Sequence, residues 1–119
     1  NFTLEQIEYI NKSVQIIKSK INNAKFFLWS NDFQNLESNL FNFDYQNVNL
    51  NNINDNIDKR VLSLFLLTKC KHYVVTTSSF NWWGAWLCSN QNKIIIRPST
   101  FKNFVINNRD LWPENWLSF

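Results

Sequence analysis

Apolar residues recur at helical spacing from the start of the chain. Leu4, Ile7, Ile10, Val14, Ile17 and Ile21 return every three or four positions, and Ile16 widens the stripe. Glu5, Glu8, Lys12, Lys18 and Lys20 fill the more polar side, and Thr3 with Gln6 three residues on is a capping-box signature. The pattern predicts a helix over 4–22, ended by Asn22-Asn23. Lys25 to Ser30 (KFFLWS) then holds a continuous apolar run of strand length, as in a parallel sheet covered on both faces. Asn31-Asp32 opens a second helical stretch to Leu40, with Phe33, Leu36 and Leu40 on one side. Phe43, Tyr45 and Val48 alternate loosely over a second strand, 43–48, and the Asn-rich stretch 49–58 reads as a loop.

The second half repeats the alternation. Residues 57–71 carry Val61, Leu62, Leu64, Phe65, Leu66 and Leu67, a largely buried helix with Lys69 and Lys71 in its last turn to complement the dipole. Tyr73-Val74-Val75 is a third strand and 80–89 the helix after it. In that helix Trp82 pairs with Trp86 and Trp83 with Leu87 at a spacing of four, which assigns most of the indole surface to the core. Gly84, the only glycine, sits inside the helix despite its propensity cost, which calls for a close neighbour, protein or ligand. Lys93 to Arg97 (KIIIR) is a fourth, buried strand closed by Pro98, and the tail through Trp112-Pro113 and Trp116 is irregular, packing by its aromatics. Helices alternating with short apolar strands predict a parallel α/β layer structure of about four strands in a single domain, 1–119.

Composition narrows the classes. At 119 residues, 45% apolar and 18% charged, the chain has room for one modest core and is not disordered. A formal charge of +3 suits an anionic ligand but lacks the Lys/Arg clustering of a nucleic-acid binder, and a reading on isoelectric point and six tryptophans alone is poor. Cys70 and Cys88 are too far apart for a redox or zinc motif and read as buried thiols of a reducing compartment, with a disulfide between them left open. Asn1-Phe2-Thr3 and Asn11-Lys12-Ser13 are accidental sequons. No run approaches the roughly 18 apolar residues that cross a bilayer. The chain opens on Asn1 and contains no Met, so it is expected to be a piece of something longer, and its location, cytoplasmic or membrane-associated, stays open.

One stretch carries candidate chemistry. After Tyr73-Val74-Val75 come four hydroxyl residues, Thr76, Thr77, Ser78 and Ser79, and then the block Phe80 to Leu87. Backbone N–H groups at a helix start lack partners inside the helix, and the dipole places about half a positive charge there, so a phosphate fits. In parallel α/β folds ligands sit at the C-terminal ends of strands, where Thr77 to Phe80 would lie. The plain alternative is that Ser78 or Ser79 only caps the helix. No catalytic set assembles around the single His72, which reads as structural or surface. Asp32, Asp44, Asp55, Asp58, Asp110 and Glu114 show no metal-site spacing.

These residues also carry a resemblance. Cys70-Lys71-His72, then Thr77-Ser78-Ser79-Phe80-Asn81-Trp82-Trp83-Gly84-Ala85-Trp86-Leu87, then Asn92 to Ile96 and Pro98, closely resemble the C-terminal part of the α-1,2-fucosyltransferases, glycosyltransferase family 11. Lys25 to Asp32 and Asp110 to Trp116 resemble further phrases of that family, in register. The resemblance implies a GT-B arrangement of two Rossmann-like halves, each a parallel sheet with helices on both faces, this chain being the C-terminal, donor-binding one. It implies inverting transfer of L-fucose from GDP-fucose to the 2-hydroxyl of a terminal galactose on a glycan acceptor, with no metal or other cofactor. It implies that Thr77, Ser78, Ser79 and Phe80 hold the donor, Ser79 and Phe80 matching a Ser-Phe pair used for nucleotide phosphates in related fucosyltransferases.

Two departures stand out. The family's His-x-Arg-x-Gly-Asp-Tyr signature, which brings an arginine to the pyrophosphate, does not occur here and belongs upstream. About seven residues ahead of the cysteine in the Cys-Lys-His phrase, where related enzymes place a guanine-reading Asp, stands Ser63, which lacks a carboxylate's paired acceptance. Thr77 also stands where Asn is more common. The alternative expectation is a degenerate sugar-nucleotide-binding module without transferase activity. The catalytic base is not assigned, and any membrane association is assigned to parts outside this chain.

Overall fold

Thr3 starts the first helix as its neighbours require. Its Oγ1 accepts from the Gln6 N–H (3.1 Å) while its own N–H donates to Gln6 Oε1 (2.9 Å), closing the capping box ahead of α1, Leu4–Lys20. The computed structural model describes residues 2–29, 40–50, 56–99 and 112–119, which fall in two compact units, Asn1–Ile57 and Asp58–Phe119. In the first, Tyr9, Ile10, Val14 and Ile17 form the buried stripe of α1, joined by Ser13, whose hydroxyl donates to the Tyr9 carbonyl (2.7 Å). Ile21 caps the C-terminus and Asn23 turns the chain with φ of 58°, a left-handed conformation that Asn tolerates better than most side chains.

Strands β1 (Phe27–Leu28) and β2 (Gln46–Asn47) pair in parallel, with Phe27 opposite Gln46. Phe26, Phe41, Phe43 and Tyr45 pack ring against ring at 5.4–5.7 Å. Asn11 Oδ1 accepts from the Asn42 N–H (3.1 Å), tying α1 to the segment before β2. β1 is not covered on both faces as expected, since Phe27 keeps 48% of its surface exposed. The helix expected from Asn31 lies, apart from its last residue, outside the described residues, as do residues 51–55 of the loop 49–58.

The second unit runs α2 (Lys59–Thr68), β3 (Tyr73–Val74), α3 (Ser79–Leu87), β4 (Ile95–Ile96). Asp58 caps α2, its Oδ1 accepting from the Arg60 N–H (3.0 Å). The helix is buried on a single line and not largely buried as expected: Leu67 is covered, while Val61 and Phe65 are 65% and 55% exposed. Lys69 forms the C-cap and lays its ammonium over the Phe65 ring (5.0 Å). β3 and β4 pair in parallel, Tyr73 opposite Ile95 and Val74 opposite Ile96. The irregular tail adds a segment to β4's other edge: the Leu117 N–H donates to the Ile95 carbonyl (2.8 Å) and the Arg97 N–H to the Leu117 carbonyl (2.7 Å). The hydrogen bonds thus give a mixed α/β fold with two parallel strand pairs, one in each unit, where the alternation suggested one sheet of about four.

The core of this unit gathers Leu67, Tyr73, Val75, Ala85, Cys88, Ile95, Ile96, Trp112 and Trp116. Each fully buried aliphatic there contributes roughly 1.5–3 kcal/mol relative to exposure. The ends of α2 and α3 meet beside the start of β3: Cys88 Sγ lies 3.2 Å from the Cys70 carbonyl, and Asn90 Nδ2 donates to the Lys71 carbonyl (3.1 Å). The two helices therefore run in the same sense, antiparallel to the strands they flank.

Candidate anion-binding site

The turn between β3 and α3 is shaped by one side-chain bond. Asn81 Nδ2 donates to Thr76 Oγ1 (2.8 Å), closing the five-residue step from strand end to helix start. Thr77, Ser78 and Ser79, which lie between them, are exposed, and Phe80 is partly buried. Ser78 occupies the N-cap position with extended backbone (φ −80°, ψ 133°), yet its side chain makes no capping bond. The first bond into the helix runs from the Trp82 N–H to the Ser78 carbonyl (3.2 Å), so the N–H groups of Ser79, Phe80 and Asn81 have no acceptor within α3. α3 carries no charged residue to offset its dipole. The simple-cap reading therefore fails for Ser78, and the hydroxyls and amides are presented together at the C-terminal end of β3.

Ser63 lies on α2, one turn before Leu67 on the same face, and is partly buried. Leu67 packs on Gly84 of α3, so it is the protein neighbour that the lone glycine called for. Because the helices run in the same sense, Ser63 stands one turn before that contact on α2 as Phe80 stands one turn before it on α3. The expected donor residues are thereby brought to one end of the helix pair.

The tryptophans divide between two roles. Trp82 stacks on Trp86 (5.5 Å, 16°), meets Trp83 edge-on (4.9 Å) and reaches Trp116 (5.7 Å), which meets Trp112 (5.9 Å). Trp83 and Trp86 are each 51% exposed, more than the core role expected of them.

His72, Lys93 and Tyr73 have structural partners. His72 Nδ1 accepts from the Ile94 N–H (2.9 Å), and burial, reinforced by the Lys71 charge, lowers its pKa below the ordinary histidine value. It stays neutral and holds the β3–β4 pair together. Lys93 Nζ donates to the Ala85 and Cys88 carbonyls (2.9 Å each) and to that of Trp86 (3.3 Å), closing the C-terminus of α3. The Tyr73 hydroxyl donates to the Leu67 and Cys70 carbonyls (2.7 and 3.0 Å); burial first, then Cys88 and Cys70, pushes its pKa well up. Cys70 and Cys88 are free thiols, and burial, then Cys88, raises the Cys70 pKa, which disfavours a thiolate at Cys70. Among the described residues no group of three His, Cys, Asp or Glu could hold a metal ion, and no helix is long and apolar enough to cross a membrane.

Arg97 was read from the sequence only as the end of a strand. It follows β4 directly and lies abreast of Val75, whose N–H donates to the Ile96 carbonyl (2.9 Å), at the same end of the sheet as the Thr76–Ser79 turn. Its guanidinium carbon sits 5.9 Å from the Trp112 ring centre, and its Nη1 donates to the Pro98 carbonyl (3.2 Å). A charged residue ending an apolar strand is the sequence signal that could have found it.

Two relatives from Escherichia coli are each 28% identical: an O-antigen biosynthesis glycosyltransferase, WbnK, over 94% of this chain, and an alpha-1,2-colitosyltransferase, over 92%. The chain spans little more than a third of their length, 36% and 37% respectively. No solved structure matches it. The profile of glycosyl transferase family 11 matches residues 2–119, and the chain belongs to that family.

Proposed function

We propose that this chain is the donor-binding part of an α-1,2-fucosyltransferase-like enzyme. GDP-fucose is the donor, a galactose-terminated glycan the acceptor, and the product an inverted α-1,2 linkage. The observation that carries this reading is the β3–α3 turn: exposed Thr77, Ser78 and Ser79 beside helix-start amides that have no acceptor among the described residues, with the Ser78 hydroxyl not used for capping. Such a turn suits the pyrophosphate of a sugar nucleotide, and membership of glycosyl transferase family 11 supports a ligand of that kind. Thr77, Ser78, Ser79 and Phe80 hold the phosphates, and Ser63 faces the base. The whole enzyme takes the two-lobed GT-B form with Rossmann-like halves, residues 1–119 forming the C-terminal one, and works without a metal. Any membrane attachment lies in other parts.

The chemistry asked of the turn is electrostatic. The acceptor's 2-hydroxyl oxygen attacks the anomeric carbon as its bond to the β-phosphate oxygen breaks. Negative charge gathers on the departing GDP, and fixed N–H and hydroxyl donors stabilise it without reorganising. The hydroxyl proton passes to a base outside the residues assigned here.

The test is a titration of the full-length protein with GDP, repeated with Ser79→Ala. Loss of one hydrogen bond to a charged phosphate is expected to weaken binding roughly tenfold. Unchanged affinity removes the assignment. A degenerate binding module is the second reading, favoured by Ser63 in place of a base-reading carboxylate. Turnover of GDP-fucose with a β-galactoside rules it out. The relative named as an alpha-1,2-colitosyltransferase supports the 1,2 linkage and makes a nucleotide-activated colitose the first alternative donor to try.

A further inference from the structure

Arg97 has a geometry that packing alone does not explain. Its Nε is buried with no hydrogen-bond partner, and no carboxylate pairs with the guanidinium among the described residues. Arg97 as a whole is partly buried, but withdrawing this one N–H from water without a partner is costly, and an anion would supply the missing acceptor. Among the described residues the guanidinium makes two interactions, with the Pro98 carbonyl and the Trp112 ring, and neither uses Nε.

The surrounding register says where that anion would sit. β3 and β4 are adjacent and parallel, so Arg97 at the end of β4 and the Thr76–Ser79 turn at the end of β3 share one edge of the fold. The opposite edge is fixed independently by Lys93, which precedes β4 and closes the far end of α3. On the Arg97 side, contacts pass from the guanidinium to Trp112, to Trp116 and to Trp82 in the first turn of α3. Arg97 is thus linked through ring contacts to the first turn of α3, a helix whose first N–H groups have no acceptor among the described residues and which carries no charge of its own.

We propose that Arg97 is a binding residue for the phosphate-bearing part of the ligand, acting with the amides and hydroxyls at the start of α3. The inference rests on the sugar-nucleotide reading above and adds to it a cation supplied by this chain itself. Arginine's forked donors suit a phosphate better than an ammonium would.

The test compares GDP, guanosine and inorganic pyrophosphate as ligands of the full-length protein, for wild type, Arg97→Gln and Arg97→Lys. Arg97→Gln is expected to weaken GDP and pyrophosphate about ten- to a hundredfold while leaving guanosine unchanged. Arg97→Lys is expected to weaken them several-fold, which keeps the comparison available if the glutamine variant does not fold. Equal losses for GDP and guanosine mean that Arg97 only supports the fold and overturn the proposal, as does wild-type binding of GDP by either variant. A wild type that binds pyrophosphate in an Arg97-dependent way but not GDP supports the arginine and removes the sugar-nucleotide reading instead.

Discussion

Leu67 of α2 fills the space in which a side chain at Gly84 of α3 would stand. A Cβ built on Gly84 would lie 2.6 Å from Leu67 Cγ and closer still to Cδ2. The absent side chain lets the two helices meet, and that contact sets Ser63 and Phe80 at matching heights.

Gly84→Ala should therefore destabilise the protein even though alanine is the better helix former. The propensity gain is at most about 1 kcal/mol, while overpacking a buried leucine costs about 1–3 kcal/mol. A lower denaturant midpoint is expected, with part of the loss recovered in Gly84→Ala/Leu67→Ala relative to the sum of the single changes. Additive losses would mean that the two residues do not press on each other.

Lys93→Met tests the other end of α3. Three carbonyls lose a charged donor there, at about 1–2 kcal/mol for a partly exposed group. Hydrogen exchange should rise in the last turn of α3 and stay unchanged in α1. A variant as stable as wild type would reduce the three contacts to incidental ones.

Asn81→Ala should loosen the turn without touching the exposed hydroxyls. It removes the donor to Thr76 Oγ1, and the expected effect is a several-fold weaker affinity for GDP with a small change in stability, about 1 kcal/mol. Thr76→Val should do the same, and the double variant should add nothing further. Independent, additive losses in affinity would show that each residue acts by itself and that the bond between them does not position the turn.

How much of this was readable beforehand depends on distance along the chain. The Thr3–Gln6 box joins residues three positions apart and was legible in full, as were the apolar runs holding β1, β3 and β4, whereas β2 is the exposed pair Gln46–Asn47 and none of Phe43, Tyr45 and Val48 lies in it. The lone glycine announced a close neighbour, but naming Leu67 needs the packing of two helices that brings together residues seventeen positions apart. Val61 and Phe65 look like core residues by type, and their exposure follows from which face of α2 meets α3. Leu117 joins β4 through a single bridge, too short to leave any periodicity. Ser78 to Phe80 stand out as candidates from local chemistry because strand, turn and helix start are consecutive. Arg97 does not, because its relation to that turn runs across the sheet.

The bond from the Ile94 N–H to His72 Nδ1 gives the fold a dependence on pH. A protonated imidazole cannot accept there, so folding favours the neutral ring, and burial and Lys71 lower its pKa below the ordinary value near 6.5. The unfolded chain thus binds the proton more readily than the folded one. The stabilisation from this contact is complete above about pH 6.5 and is lost as pH falls through the lower folded value. His72→Asn supplies an amide oxygen that accepts at every pH, so the difference in stability between wild type and variant should shift in the variant's favour as the solution is acidified from pH 7 to 5. A difference that stays constant over that range would mean that the imidazole does not titrate between the two states, and the role of His72 as a neutral acceptor between β3 and β4 would have to be abandoned.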